Sequence, residues 1–301
     1  RLFYDGFCNE VLWPLFHDLQ SRCVFRPEYW RSYQEVNRRF ARAVTENVDP
    51  GDFVWVHDYH LLLFASALRE LGRADRTAFF LHTPFPSVDI LLKLPWRSQV
   101  LRAMLDYGLL GFQTMRDRRN FLECVLHFWP DVRTSGRGPV IDLHFEGRDV
   151  RLGAFPIGID YREFASGAQA GEVEETVTWL RERYPGQQII LGVDRLDYTK
   201  GIPERLEAFR TALERYPELR GKVTLVQVAV PSRAAVPEYQ SLRDTIEGLI
   251  GKINGEYTAP GWVPIHYLYR SLSREELLAY YRASDVALVT PLKDGMNLVA
   301  K

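Results

Sequence analysis

Short apolar runs recur along this chain, and most are followed by a longer stretch with helical spacing; few folds accept that order. Phe53-Val54-Trp55-Val56 reads as a buried strand, and Leu61, Ala65, Leu68 and Leu71 then lie on one face of a helix. Ala78-Phe79-Phe80-Leu81 and Leu109-Leu110-Gly111-Phe112 are the next strand candidates, the second leading into a helical stretch from Met115 to His127. Val150 to Phe155 closes this half, and Pro156-Ile157-Gly158-Ile159-Asp160 reads as a crossover. The second half repeats the pattern, with strands predicted at Gln188 to Val193, Val223 to Val230, Ile265 to Leu268 and Asp285 to Val289. A helix is expected from about Gly201, with Pro203 in its first turn and an apolar face of Ile202, Leu206, Phe209 and Leu213. Alternation on both sides of a crossover implies an α/β chain of two Rossmann-like, parallel-sheet domains, 1–158 and 159–301. Thr134 to Gly138 reads as a mobile loop, and the residues after Gly295 as a helix start that runs to Lys301.

In such sheets ligands bind beyond the carboxyl ends of the strands, so the residues that follow each strand are the first candidates, and two facing domains would hold a ligand in the cleft between them. Bulk composition narrows the ligand. Lys plus Arg number 38 and Asp plus Glu 39, so no net charge draws the protein to nucleic acid or to an anionic membrane. Apolar residues make up 46%, an ordinary globular balance, yet no run is long enough to span a bilayer. The three cysteines, Cys8, Cys23 and Cys124, form no CxxC pair; free thiols in a reducing cytoplasm are expected. The chain begins at Arg1 without Met, and both ends look cut.

The strongest local signal is Asp194-Arg195-Leu196-Asp197-Tyr198-Thr199-Lys200-Gly201, between a strand and a helix N-terminus. Arg195 and Lys200 beside free backbone N–H groups suit a diphosphate. A solvated turn whose charges pair with Asp194 and Asp197 is the plain alternative, and the strand-end position favours the ligand. Lys293-Asp294-Gly295-Met296-Asn297-Leu298 follows another strand: Gly295 permits close backbone approach, Asp294 offers a carboxylate to sugar hydroxyls, and the alternative for Asp294 is an N-cap. In the first half His57-Asp58-Tyr59-His60 and His82 end strands. A metal site on His57, Asp58 and His60 lacks a further ligand at typical spacing, so no metal is expected. His57 reads as a core histidine bonded to backbone, Asp58 and His82 as polar contacts to a sugar. Tyr4 and Trp13 suit either sugar stacking or core packing, and Arg233, after a strand, either an anion or the surface.

In this order the motifs resemble the trehalose-6-phosphate synthase family, of the GT-B glycosyltransferase type. The resemblance runs over essentially the whole chain, on Tyr4 to His17, VWVHDYHLL at 54–62, FFLHTPFP at 79–86, LLGFQT at 109–114, FPIGID at 155–160, DRLDYTKGIPER at 194–205, INGEY at 253–257 and TPLKDGMNLVAK at 290–301. It implies transfer of glucose from a nucleoside diphosphate, UDP-glucose foremost, to glucose 6-phosphate with retained anomeric configuration. Arg195 and Lys200 would hold the diphosphate, and Asp294 with the amides of Met296, Asn297, Leu298 and Val299 the donor sugar and phosphates. His82 would meet the donor glucose and Asp58 the reacting sugars, with Tyr4, Trp13 and Arg233 at the acceptor. The family's first strand and Gly-rich loop would precede Arg1, and a nucleoside-binding Glu would follow Lys301. Stabilising the diphosphate with Arg195, Lys200 and amides requires no divalent metal. A homo-oligomer is compatible with the sequence. A sister transferase with another acceptor and a non-catalytic sugar-phosphate-binding homologue are the alternatives, the second disfavoured by the presence of Arg195, Lys200 and Asp294. A NAD-dependent dehydrogenase is set aside because no GxGxxG opens a helix.

Overall fold

The structure, a computed structural model, describes residues 1–49, 51–73, 76–232 and 237–301. Contacts divide the chain into one unit of residues 1–157 with 293–296 and another of 158–292 with 297–301.

The first unit is built on a six-stranded sheet: β1 (Phe53–His57), β2 (Arg76–Leu81), β3 (Leu109–Phe112), β4 (Arg133–Ser135), β5 (Val140–Phe145) and β6 (Arg148–Ala154), in the order β1-β2-β3-β6-β5-β4. β1, β2, β3 and β6 run parallel, as the alternation predicts. The β4 and β5 pairings are antiparallel, and neither strand was foreseen. The stretch expected to be a mobile loop therefore begins inside β4, where Thr134 and Ser135 pair with Leu143 and Asp142. Its polar residues sit on an exposed edge strand, where no apolar alternation marks the strand.

The expected full burial of the first strand is also corrected. Phe53 and Trp55 are 58% and 60% exposed, while Val56 on the opposite face is buried. Among the described residues nothing covers the Phe53 and Trp55 face, and a hollow of about 490 Å³ opens there between Trp55, His57, Phe80 and Phe155. A parallel strand with apolar side chains on both faces normally has both covered.

The second unit holds four parallel strands, β7 (Gln188–Arg195), β8 (Val223–Val230), β9 (Ile265–Leu268) and β10 (Val286–Ala287), ordered β10-β7-β8-β9. One core cluster joins Leu206, Phe209 and Leu213 of the Ile202–Arg215 helix to Leu225, Ile246 and Ile253; another joins Val173, Leu180 and Leu278 to Leu191 and Val226. The Ile202–Arg215 helix starts where the sequence places it, because Gly201 at φ +62° lets the chain turn into it and Pro203 costs no bond in the first turn. β10 is shorter than the predicted Asp285 to Val289. The carboxylate of Asp285 is taken up by the Ile189 N–H and by two bonds from Arg181. Among the described residues no helix is long and apolar enough to cross a membrane.

One buried brace sets the loop after β1. Tyr33, on the Pro27–Asn47 helix and fully buried, donates its hydroxyl to the Tyr59 carbonyl at 2.6 Å and accepts from the Leu62 N–H at 3.0 Å. Four residues on, buried Asn37 donates to the His60 carbonyl and accepts from the Leu63 N–H. This i, i+4 pair satisfies backbone groups of a loop that has few partners of its own. Replacing Tyr33 by Phe strands a buried carbonyl and a buried N–H, at a cost of about 1–3 kcal/mol. Thermal unfolding of Tyr33→Phe is expected a few degrees lower; an unchanged midpoint would show that the brace carries no stability.

Candidate active site

At the carboxyl ends of β1 and β2 the chain is fixed by backbone strain and by bonds across the strand ends. Asp58 sits at φ +69°, ψ 167°, a region almost reserved for glycine and costing of order 1–3 kcal/mol for another residue. Its N–H donates to the Phe80 carbonyl at 2.8 Å, and its Oδ1 accepts from the His82 N–H at 3.2 Å. Tyr33 and Asn37 hold the following residues, so the strained turn is over-determined on both sides.

His57 does not take the role expected of it. Its ring is exposed rather than in the core, and Nδ1 lies 3.0 Å from Nε2 of His82 instead of bonding to backbone. Residues 53, 55 and 57 share the uncovered face of β1, which is why the ring lies outside. Burial holds the His82 pKa below its ordinary value; the Asp58 carboxylate opposes this and His57 adds to it. A neutral His82 has one donor and one acceptor nitrogen, and the contact with His57 occupies Nε2.

The loop that follows is clamped by a helix start. Thr114 caps the Met115–Phe128 helix through the Asp117 N–H; the Asp117 carboxylate takes the Phe85 N–H at 3.1 Å, and Asn120 donates to the Phe85 carbonyl at 2.9 Å. Residues 293–296 belong to the same unit: Lys293 Nζ lies 2.6 Å from Asp18, and Gly295 packs so closely that a Cβ there would collide with the His82 carbonyl.

In the second unit, Arg195 ends β7 and is exposed, and Lys200 is half-buried one residue before the left-handed Gly201. The two acids of the motif turn inward. Asp194 receives Arg205 at 2.6 Å, and Asp197 caps the Tyr198–Lys200 turn through Thr199 while also accepting from the Tyr239 hydroxyl. Asp194 and Asp197 are thus buried and bonded inward rather than left in a solvated turn. The buried Arg205 was missed. Its signal was present, because Ile202, Arg205, Leu206 and Phe209 share one helix face and a charge there must go inside.

The expected helix after Gly295 is absent. Residues 298–300 form a turn with the Lys301 N–H on the Leu298 carbonyl at 3.2 Å, and the Asn297 side chain accepts from the Ala300 N–H. A helix needs repeated bonds from each N–H to the carbonyl four residues back, and these residues close only a shorter loop. The amides of Leu298 and Val299 thus lie on a turn and those of Met296 and Asn297 in the irregular chain before it, with Asp294 half-buried.

Of the acceptor candidates, Trp13 is buried, 7% exposed, with its ring against His17 and Tyr59, whereas Tyr4 is 48% exposed and stacks on His60. Arg233 lies outside the described residues. Among the described residues no three His, Cys, Asp or Glu side chains gather as metal ligands.

The family model for glycosyltransferase family 20 matches residues 1–301. The chain is 45% identical over 99% of its length to an alpha,alpha-trehalose-phosphate synthase [UDP-forming] of Candida albicans, of which it covers 63%. It superposes with a TM-score of 0.94 on the crystal structure of such a UDP-forming synthase from Burkholderia xenovorans in complex with glucose-6-phosphate, at 39% identity, covering 100% of this chain and 66% of that one. With the E. coli trehalose-6-phosphate structure bound with UDP-2-fluoro glucose the TM-score is 0.93 at 41% identity, over 100% of this chain and 66% of that one. These neighbours share the GT-B fold. The chain thus spans about two thirds of the length of each of these three proteins.

The close approach of Gly295 to His82 gives a direct test. Gly295→Ala forces one of the two backbones to move, at a cost of about 1–3 kcal/mol. A lower unfolding midpoint together with altered His82 ring resonances is expected, and an alanine variant identical to the parent in both would contradict the described packing.

Proposed function

Since the chain belongs to glycosyltransferase family 20, we propose that its protein is a retaining glucosyltransferase that moves glucose from UDP-glucose to glucose 6-phosphate and releases α,α-trehalose 6-phosphate and UDP. The observation that carries this reading is 45% identity, over 99% of the chain, to a UDP-forming trehalose-phosphate synthase. The UDP-2-fluoro glucose and glucose-6-phosphate complexes of two similar structures support the donor and the acceptor.

The chemistry fits the residues. Breaking the bond between the anomeric carbon and phosphate leaves negative charge on the diphosphate and positive charge on the sugar. Arg195 and Lys200, at the end of β7 and before the Ile202–Arg215 helix, meet the diphosphate as preorganised cations. The amides of Met296 to Val299 add donors, and Asp294 takes sugar hydroxyls. His82, neutral and oriented by His57, contacts the glucose through Nδ1, and Asp58 lies beside it for the reacting sugars. A retaining glycosidase would need two carboxylates about 5 Å apart acting as nucleophile and acid. Here the attacking hydroxyl approaches on the face of the departing diphosphate, which accepts the proton. The cations replace a divalent metal in this scheme. Tyr4, the edge of Trp13 and Arg233 bind the acceptor, Arg233 pairing with its phosphate. We place the protein in the cytoplasm, in keeping with three cysteines that form no disulfide.

Two measurements on the full-length protein test this. Incubation with UDP-glucose and glucose 6-phosphate is expected to yield a disaccharide phosphate by mass spectrometry, undiminished by EDTA; absence of product, or strict dependence on added Mg²⁺, would refute the corresponding part. Steady-state kinetics are expected to separate the two ligands. Arg195→Ala or Lys200→Ala lowers kcat/KM for the donor by about 10²-fold or more, whereas Arg233→Ala raises the KM of glucose 6-phosphate and spares that of UDP-glucose. An Arg233→Ala effect confined to the donor would rule out the acceptor assignment.

A further inference from the structure

We propose that Arg205 is a positioning residue for the donor site, its buried guanidinium holding the Asp194–Lys200 loop and the chain at Thr290 in one fixed register. The proposal rests on the reading of Arg195 and Lys200 as diphosphate ligands.

Arg205 is a charged residue where an apolar one is expected, one turn into a helix whose same face carries Ile202, Leu206 and Phe209. Its side chain is 0% exposed and that of its partner Asp194 is 4%. The guanidinium reaches three separate pieces of chain: Nη1 donates to Asp194 at 2.6 Å and to Gln227 on β8 at 2.9 Å, and Nε donates to Thr290 Oγ1 at 2.9 Å. Space for it is made by Gly192, since a Cβ at that position would collide with Nη1.

Stability alone does not account for this arrangement. Taking an ion pair out of water costs free energy that its mutual attraction often fails to return, and well-packed apolar residues commonly do as well or better. Nη2 is moreover buried without a hydrogen bond, a further cost that a methionine of similar shape would not carry. A planar fork with donors in fixed directions does provide something an apolar side chain cannot, namely angular constraint between the groups it joins.

Those groups adjoin the proposed ligands. Asp194 is the neighbour of Arg195, so any rotation at Asp194 re-aims that side chain. Thr290 lies four residues before Asp294, and two more contacts lock it to the same loop. The Leu292 N–H donates to the Thr199 carbonyl at 2.9 Å, and Gly201 packs on the Thr290 carbonyl with no room for a Cβ. Arg205 is thus the point at which the cationic loop and the chain at Thr290 are tied to each other within the second unit. A misplacement of about 1 Å is enough to cost 10²-fold in rate at a site built on orientation.

The test uses the full-length protein, with UDP-glucose and glucose 6-phosphate varied in turn and thermal unfolding followed in parallel. Thr290→Val removes one bond of the fork and little else. It is expected to lower donor kcat/KM by about 5- to 10-fold with the acceptor KM unchanged, and to lower the unfolding midpoint by a few degrees because the Arg205 Nε is left without its partner. Arg205→Met combined with Asp194→Asn removes both buried charges together and is expected to lose about 10²-fold on the donor side alone, with Arg205→Lys recovering part of that loss. Arg195→Ala serves as the reference. If Arg195→Ala is crippled while Thr290→Val keeps donor kinetics within about twofold of the parent, or shows only a lower midpoint, the positioning role is overturned and the diphosphate reading survives. If Arg195→Ala itself turns over normally, the diphosphate reading falls.

Discussion

The candidate site depends first on the parallel pairing of β1 with β2 and of β7 with β8. Parallel strands force every connection to cross back over the sheet, so all carboxyl ends, and the loops that leave them, gather at one edge. In the first unit the register sets His57 opposite Phe80, which brings Asp58 and His82 to adjacent strand ends. In the second it sets Arg195 opposite Val230, at the last rung of the ladder. Without that alignment the Asp58 carboxylate would not meet the His82 N–H, and two loops distant in sequence would not share a hydrogen bond.

Alignment delivers the loops, and buried polar side chains then hold them still. Three such groups recur, one behind each loop. Tyr33 and Asn37 satisfy the backbone after Asp58; Asp117 and Asn120 grip both polar groups of Phe85 after His82; Arg205 ties Asp194 to Gln227 and Thr290. Each lies in a core where an apolar residue would ordinarily be cheaper; hydrogen bonds compensate, though Arg205 leaves its Nη2 unsatisfied. The positive φ of Asp58 belongs to the same pattern, since a strained turn persists only where its surroundings leave it no alternative.

The proposed chemistry asks for such rigidity. A reaction that develops opposite charges on a sugar and a diphosphate gains from cations and dipoles already in place, because no free energy is then spent orienting them as the barrier is crossed. In the proposed scheme a neutral His82, its pKa held down mainly by burial and its ring tied to His57, would supply a directed polar contact without placing a second positive charge beside the cationic sugar.

Much of this was written in local sequence. Apolar runs marked β3, β8 and β9 to the residue, and the glycine and proline of Gly201-Ile202-Pro203 marked the start of their helix, because both signals depend on near neighbours alone. Asp58, His82, Arg195 and Lys200 stood out for the same reason, as polar groups immediately after apolar runs. What escaped was whatever depended on a partner far along the chain. The edge strand at Arg133–Ser135 exists through pairing with β5, not through its own polar residues. Trp55 and His57 lie outside because the described residues cover only one face of β1, a fact of packing that periodicity does not carry. Arg205 was passed over in the sequence and is a buried tie because Asp194, Gln227 and Thr290, 11, 22 and 85 positions away, converge on it. Sequence by itself determined the parallel strands that apolar runs mark and the polar residues that follow them, since those are properties of a few consecutive side chains. Tertiary structure alone decided which charges are buried, which faces are bare and how the strand-end loops are aimed, since each of these is set by groups that only folding brings together.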